Sequence, residues 1–260
     1  MSAPACSTTE SSGAAELVLR FVTALTCVTA AWLAWARPTT VNSQLFMELD
    51  VSSELAGTID RTAAFLLLLV AAAVLFTRSR LACAFATTWL LALALAKAAS
   101  GGEFFSEFAP LASAVRFGAP VALLLIWSRR DSAAFWVLRV CVAVTFVAHG
   151  LEALAHAPGF IDLILLSARR FLDLRISEAA ACHALTVIGV VDIVAAILIL
   201  AQRWRSVAGY MTIWGLATLT SRMTAMGFER WPEAATRIAN AGVPLAILLE
   251  WRAAFRAPTN

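Results

Sequence analysis

The strongest constraint on this chain is a succession of apolar runs, each near the length of a bilayer crossing, separated by connections that carry paired arginines. Four runs lie at about Leu17–Trp35, Thr62–Phe76, Leu81–Ala96 and Leu111–Trp127, and four more at about Ala134–Leu154, Cys182–Ala201, Val207–Met226 and Ile238–Trp251. A helix rises about 1.5 Å per residue, so roughly 17–25 apolar residues cross the hydrocarbon layer. Shorter runs are completed by interfacial Trp and by arginines that reach the headgroups. Hydrophobic residues are 61% of the 260 and charged residues 14%. A soluble domain is roughly 45–50% apolar, and no soluble core of this size hides the excess. The expected fold is an all-α membrane protein with about eight transmembrane helices.

The arginines predict the threading. Arg78 and Arg80, Arg129 and Arg130, Arg203 and Arg205, and Arg252 and Arg256 follow spans two, four, six and eight. All fall on one side if the count is eight. The other side carries Glu48, Asp50, Glu54, Asp60, Glu103 and Glu107. The positive-inside rule then puts both termini in the cytoplasm, with a bacterial inner membrane as the expected location. Residues 1–16 are polar and lack a basic leader, and read as a disordered tail. The loop at 155–181 contains Phe160–Leu174, whose apolar residues recur at helical spacing around Arg169, Arg170 and Asp173. It reads as an amphipathic helix on the outer surface or capping the bundle.

The two halves resemble each other. Val18-Leu19-Arg20 opens span one and Val137-Leu138-Arg139 opens span five, at an offset of 119 (139 − 20). Arg80, Trp89 and Lys97 match Arg205, Trp214 and Arg222 at 125 (222 − 97). Gly118-Ala-Pro120 through Trp127 matches Gly242-Val-Pro244 through Trp251 at 124 (251 − 127). Two tandem four-helix units follow, a degenerate one over 17–130 and a second over 131–255. Four spans is an even number, so both units share one orientation.

The repeat directs attention to the second half. His149, Glu152 and Asp192 stand where the first half has Ala30, Leu33 and Leu67, while Arg116 stands against Asn240. Ionisable groups cost roughly 2.5–3.5 kcal/mol at the centre of a span, so they default to function. His149, Glu152 and His156 are spaced i, i+3, i+7 and are expected on one face at the outer end of span five. His183 opens span six and Arg222 closes span seven at the same level, so the three histidines are expected to converge there. Asp192 lies deeper, roughly 14 Å below His183, on a face shared with Gly189 and Ala196. It is expected to hydrogen-bond a neighbouring helix, at Arg222 or the Thr218/Ser221 stripe. Arg20 and Arg139 are expected to snorkel. The H-x-x-E-x-x-x-H spacing suits metal ligands, but no second such motif exists, so no metal is assigned. No phosphate loop, dinucleotide fingerprint or nucleophile elbow is present, and no catalytic residue is assigned.

The second half resembles the DoxX-like family of small four-span membrane proteins. The resemblance covers about 135–255. It rests on Val137-Leu138-Arg139, Phe146-Val-Ala-His149-Gly150-Leu-Glu152-Ala-Leu154, Gly189-Val-Val-Asp192, Arg203-Trp-Arg205 and Gly215 through Ser221-Arg222. Many members carry a Lys shortly after the His-Gly pair, where this chain has Ala153 beside Glu152. The resemblance implies a four-helix bundle, a quinone as ligand and a membrane redox protein as partner. The chain is then an accessory or ligand-binding component of membrane redox chemistry, with His149, Glu152, His156, His183, Asp192 and Arg222 as site residues. Two other readings stand beside it: a small-solute or proton-coupled transporter using Asp192, and a structural scaffold that holds a partner through the outer helix. The net charge of +3 and the flanking positions of the arginines point to lipid, not nucleic acid.

Overall fold

The computed structural model describes residues 13–102 and 104–256. Every regular element among them is helical: α1 (Gly13–Ala36), α2 (Thr40–Met47), α3 (Ser53–Phe76), α4 (Arg80–Ser100), α5 (Ala109–Ala112) and α6 (Ala114–Ile126), then α7 (Asp131–Leu154), α8 (Pro158–Phe171), α9 (Glu178–Ala201), α10 (Arg205–Met226), α11 (Trp231–Ala235) and α12 (Ile238–Arg256). One-turn 3₁₀ segments at Ser106–Phe108 and Phe228–Arg230 precede α5 and α11. Six stretches are long and apolar enough to cross a membrane: α1, α3, α4, Ser106–Ile126, α7 and α9. Large apolar side chains face outward on them, such as Phe65, Val187 and Ile197. In water that surface would drive aggregation; in lipid it is the solvated face. The chain is an α-helical, multi-pass integral membrane protein.

Local chemistry sets the helix ends. Ser52, Ser79 and Ser177 cap α3, α4 and α9, each hydroxyl accepting from the backbone N–H three residues on, which satisfies an otherwise orphaned donor. Gly101 and Gly227 end α4 and α10 at positive φ, the region glycine enters without steric cost. Pro120 and Pro244 lie inside α6 and α12. Thr39 caps α2 and donates its hydroxyl to the buried Asp60 at 2.6 Å, while its N–H donates to the same carboxylate at 2.9 Å. Asp60, expected in the outer loop, is thus the anchor that ties α2 to α3.

In packing, α1 lies against α3 and α12, and α7 against α6, α9 and α12. Glycines bring some pairs unusually close. A Cβ on Gly150 would stand 3.0 Å from the Gly189 carbonyl oxygen, and one on Gly189 2.7 Å from that of Gly150, so α7 and α9 cross backbone to backbone. Gly215 has the same relation to the Asn240 carbonyl of α12, at 2.5 Å.

Three expectations are corrected. The tail of 1–16 falls outside the described residues for 1–12, but Gly13–Glu16 open α1, and Glu16 is buried. Its carboxylate accepts from Arg20 at 2.7 Å, Arg78 at 3.1 Å and the Trp127 indole at 2.9 Å. Arg139 does not snorkel: it is 5% exposed and donates to the carbonyls of Ile199 and Leu200 at the end of α9. Those last-turn oxygens lack helical partners, and a guanidinium satisfies them at the negative end of the helix dipole. Arg20 does the same for α3 through the Leu75 carbonyl at 3.2 Å. Both guanidinium groups also lie over a tryptophan, Arg20 over Trp127 at 5.3 Å and Arg139 over Trp251 at 5.7 Å.

Candidate functional site

The second half encloses a cavity of about 510 Å³ bounded by α7, α8, α9, α10 and the start of α12. That is within the range of pockets that hold small organic ligands. Its walls are mostly apolar, built from side chains such as Phe146, Leu163, Ile164, Leu185 and Ile188. The amphipathic helix covers it: Phe160, Leu163, Ile164, Ser167, Ala168 and Phe171 of α8 all face the cavity, a spacing of i, i+3, i+4, i+7, i+8, i+11 that defines one face. Ser167 bonds the Ser221 carbonyl at 3.2 Å and Arg170 the Ala225 carbonyl at 2.6 Å. These bonds dock α8 on the C-terminal end of α10.

The polar lining comes from several helices. His149 of α7 faces the cavity with Arg222, Arg237 and Asn240. Its Nδ1 bonds Glu152 Oε2 at 3.0 Å. With the carboxylate as acceptor, Nδ1 carries the proton, and Nε2 of the neutral ring is left as an acceptor. That Nε2 is buried and has no partner. Asp192 of α9, 4% exposed, also lines the cavity, and its Oδ1 has no partner. It faces Tyr210 and Trp214 of α10, not Arg222 or the Thr218/Ser221 stripe as expected. Trp214 and Arg222 are eight residues apart on one helix, roughly 12 Å, whereas His149 and Asp192 both lie at the α7–α9 crossing, where a Cβ on Gly150 would stand 3.5 Å from the Asp192 Cβ.

The six sequence candidates therefore separate. His149, Asp192 and Arg222 line the cavity, and Glu152 touches it only through His149. His156 and His183 do not join them. α7 ends at Leu154, and His156 takes a positive φ of 51° beyond it, so its side chain leaves the His149 face and bonds Thr186 at 2.9 Å. His183 is exposed on the first turns of α9. Nine residues separate it from Asp192, two and a half turns, so it points away from the face that lines the cavity.

Two residues were missed. Arg237 stands just before an apolar run and reads as an ordinary flank. Asn240 was noted only as the partner position of Arg116. A second cavity of about 480 Å³ lies in the first half, lined by Thr26, Arg37, Lys97, Ser113, Arg116 and others. Here Thr26 Oγ1 and Arg116 Nε are buried without partners. Aligned positions line both cavities: Ala30 and His149, Leu93 and Thr218, Lys97 and Arg222, Arg116 and Asn240. Among known proteins, no family model, no curated protein and no solved structure matches the chain.

Proposed function

We propose that the chain is a DoxX-like membrane protein built of two tandem four-helix units, and that its second unit binds a lipid-soluble redox ligand of the quinone class in the cavity headed by His149. The observation that carries this reading is the His149 imidazole. It is held by Glu152, lines a mostly apolar cavity and has a buried Nε2 without a partner. A buried acceptor without a partner costs roughly 1–3 kcal/mol, and a ligand hydroxyl such as that of a quinol would satisfy it. The Nδ1–Glu152 bond fixes the ring for that role. As a component of membrane redox chemistry the protein would exchange its ligand with a membrane redox partner.

The tandem reading is supported by Arg20, Leu75 and Trp127, which recur as Arg139, Leu200 and Trp251 with the same contacts. The two cavities lined by aligned residues support it as well. On this reading α10 and α12 are also spans, and the outward Ile213 of α10, 71% exposed, is a lipid-facing residue. Eight spans then leave both termini in the cytoplasm of a bacterial inner membrane.

The test is saturable binding of a short-chain quinone to the detergent-purified protein, wild type against His149→Ala and Glu152→Ala. Binding weakened about tenfold or more, equivalent to about 1.4 kcal/mol, supports the reading. Absence of binding to the wild type sinks it and leaves the polar groups as helix-pairing contacts of a scaffold.

A further inference from the structure

The cavity around His149 holds more positive charge than its surroundings balance. Arg222 and Arg237 line the cavity, and Arg116 of α6, which lines the first-half cavity, adds its charge to the positive field they feel. Among the described residues none of the three makes a hydrogen bond or an ion pair, and Arg116 Nε is buried with no partner. Two carboxylates attract them, but both are engaged elsewhere. Glu152 holds His149 at 3.0 Å, and Glu233 holds Arg37 at 3.1 Å and Arg230 at 3.0 Å. Asn240, 4% exposed, also lines the cavity, and its Oδ1 lacks a partner too. The remaining carboxylate of the cavity, Asp192, faces Tyr210 and Trp214.

Like charges close together in a low-dielectric bundle repel strongly, and the desolvation of each adds to the cost. A fold that keeps two of them on the wall of a cavity is complementary to an anion. Guanidinium forks match the paired oxygens of a phosphate or a carboxylate, with charge-assisted bonds about twice as strong as neutral ones. The rest of the cavity is apolar, and the helix that covers it contributes only apolar and small side chains from Phe160 to Phe171. The cavity thus presents a cationic head region and a greasy body in one enclosure.

We propose that Arg222 and Arg237 bind the oxyanion head of an acidic amphiphile whose apolar chain occupies the cavity beneath α8, with Arg116 adding positive charge from the neighbouring cavity. The inference rests on this cavity being a ligand site, as argued above, and goes beyond the quinone reading by assigning the cavity a second class of occupant, one that carries a phosphate or carboxylate. The anion comes with the chain, from the bilayer, because the walls beyond the arginines reward apolar surface.

The experiment uses the full-length protein in neutral detergent and four probes: an alkyl phosphate, the alcohol of the same chain length, inorganic phosphate and a neutral short-chain quinone. Binding is read by calorimetry and by the shift of the thermal midpoint. The expected result is binding of the alkyl phosphate at least about tenfold tighter than that of the alcohol, a preference lost in Arg222→Gln and in Arg237→Gln and kept in Arg222→Lys. Equal affinity for phosphate and alcohol overturns the anion site while leaving the cavity a ligand site. Inorganic phosphate binding as tightly as the alkyl phosphate overturns the amphiphile and leaves a free-anion site. No binding of any of the four probes overturns this inference and the ligand-cavity reading together. The unliganded thermal midpoint separates ligand binding from helix pairing. Relief of repulsion leaves the Gln variants as stable as the wild type or more so, whereas arginines that hold the bundle together would lower it, which overturns the inference.

Discussion

The Nε of Arg139 donates to the main-chain oxygen of Ile199 at 2.8 Å. One guanidinium from the start of α7 thereby closes the end of α9, sixty residues along the chain. It also lies over the Trp136 ring at 4.1 Å. An arginine flanking an apolar run is ordinarily read as an anchor to lipid headgroups, whereas here it caps a helix inside the protein.

Arg139→Leu removes these bonds and leaves the last carbonyls of α9 unsatisfied. Hydrogen bonds to charged groups contribute roughly 1.5–3 kcal/mol each, so a loss of about 2–4 kcal/mol is expected, seen as a lower thermal midpoint in detergent. Arg20→Leu should act in the same sense. An unchanged midpoint for Arg139→Leu would show that water replaces the cap.

Gly150→Val and Gly189→Val should each separate α7 from α9, because even a Cβ meets the opposite backbone oxygen at 3.0 and 2.7 Å. Backbone shifts of this kind cost roughly 1–3 kcal/mol. Gly57→Ala is the control. It has open space around its Cβ position, and Ala is favoured over Gly inside a helix by up to about 1 kcal/mol. If thermal denaturation ranks Gly57→Ala below Gly189→Val, the close crossing is wrong.

His156→Ala and His183→Ala should leave quinone binding within about twofold of wild type, while His149→Ala weakens it about tenfold or more. The reason is placement: His156 bonds Thr186 outside the cavity and His183 is exposed. Equal losses for all three histidines would return them to one site and contradict the end of α7 at Leu154.

Reporter fusions after Arg130 and after Gln202 should read as cytoplasmic, and fusions after Ser100 and after Asp173 as external, if the chain crosses eight times with arginines inside. The fusion after Asp173 also tests whether α8 lies on the outer side. Any of the four reporting the opposite side removes the eight-span threading.

How much of this was legible follows from what each signal encodes. Run length and apolarity are local, so the helices and the α8 amphipath could be read directly. The face of α8 that covers the cavity runs through Phe160, Leu163, Ile164, Ser167, Ala168 and Phe171. Spacing yields the period of a helix, but its rotation is set by what it docks against, here Ser221 and Ala225. The candidate site was legible where a polar residue stood against an apolar one in the other half, as for His149 and Asp192. It was not legible for Arg237, whose place before an apolar run looks like any interfacial flank.

The sequence by itself determined that this is an all-helical membrane protein, because the length and apolarity of a bilayer crossing are written in consecutive residues. It also marked His149 with Glu152, because i, i+3 neighbours meet on any helix. Only the tertiary structure decided which charges share a space. Arg222 and Arg237 come from separate segments and line one cavity, while His156 and His183 are turned out of it. That outcome depends on helix ends, on the rotation of each helix about its axis and on close crossings such as Gly150 with Gly189. None of these is a property of a run of residues taken alone.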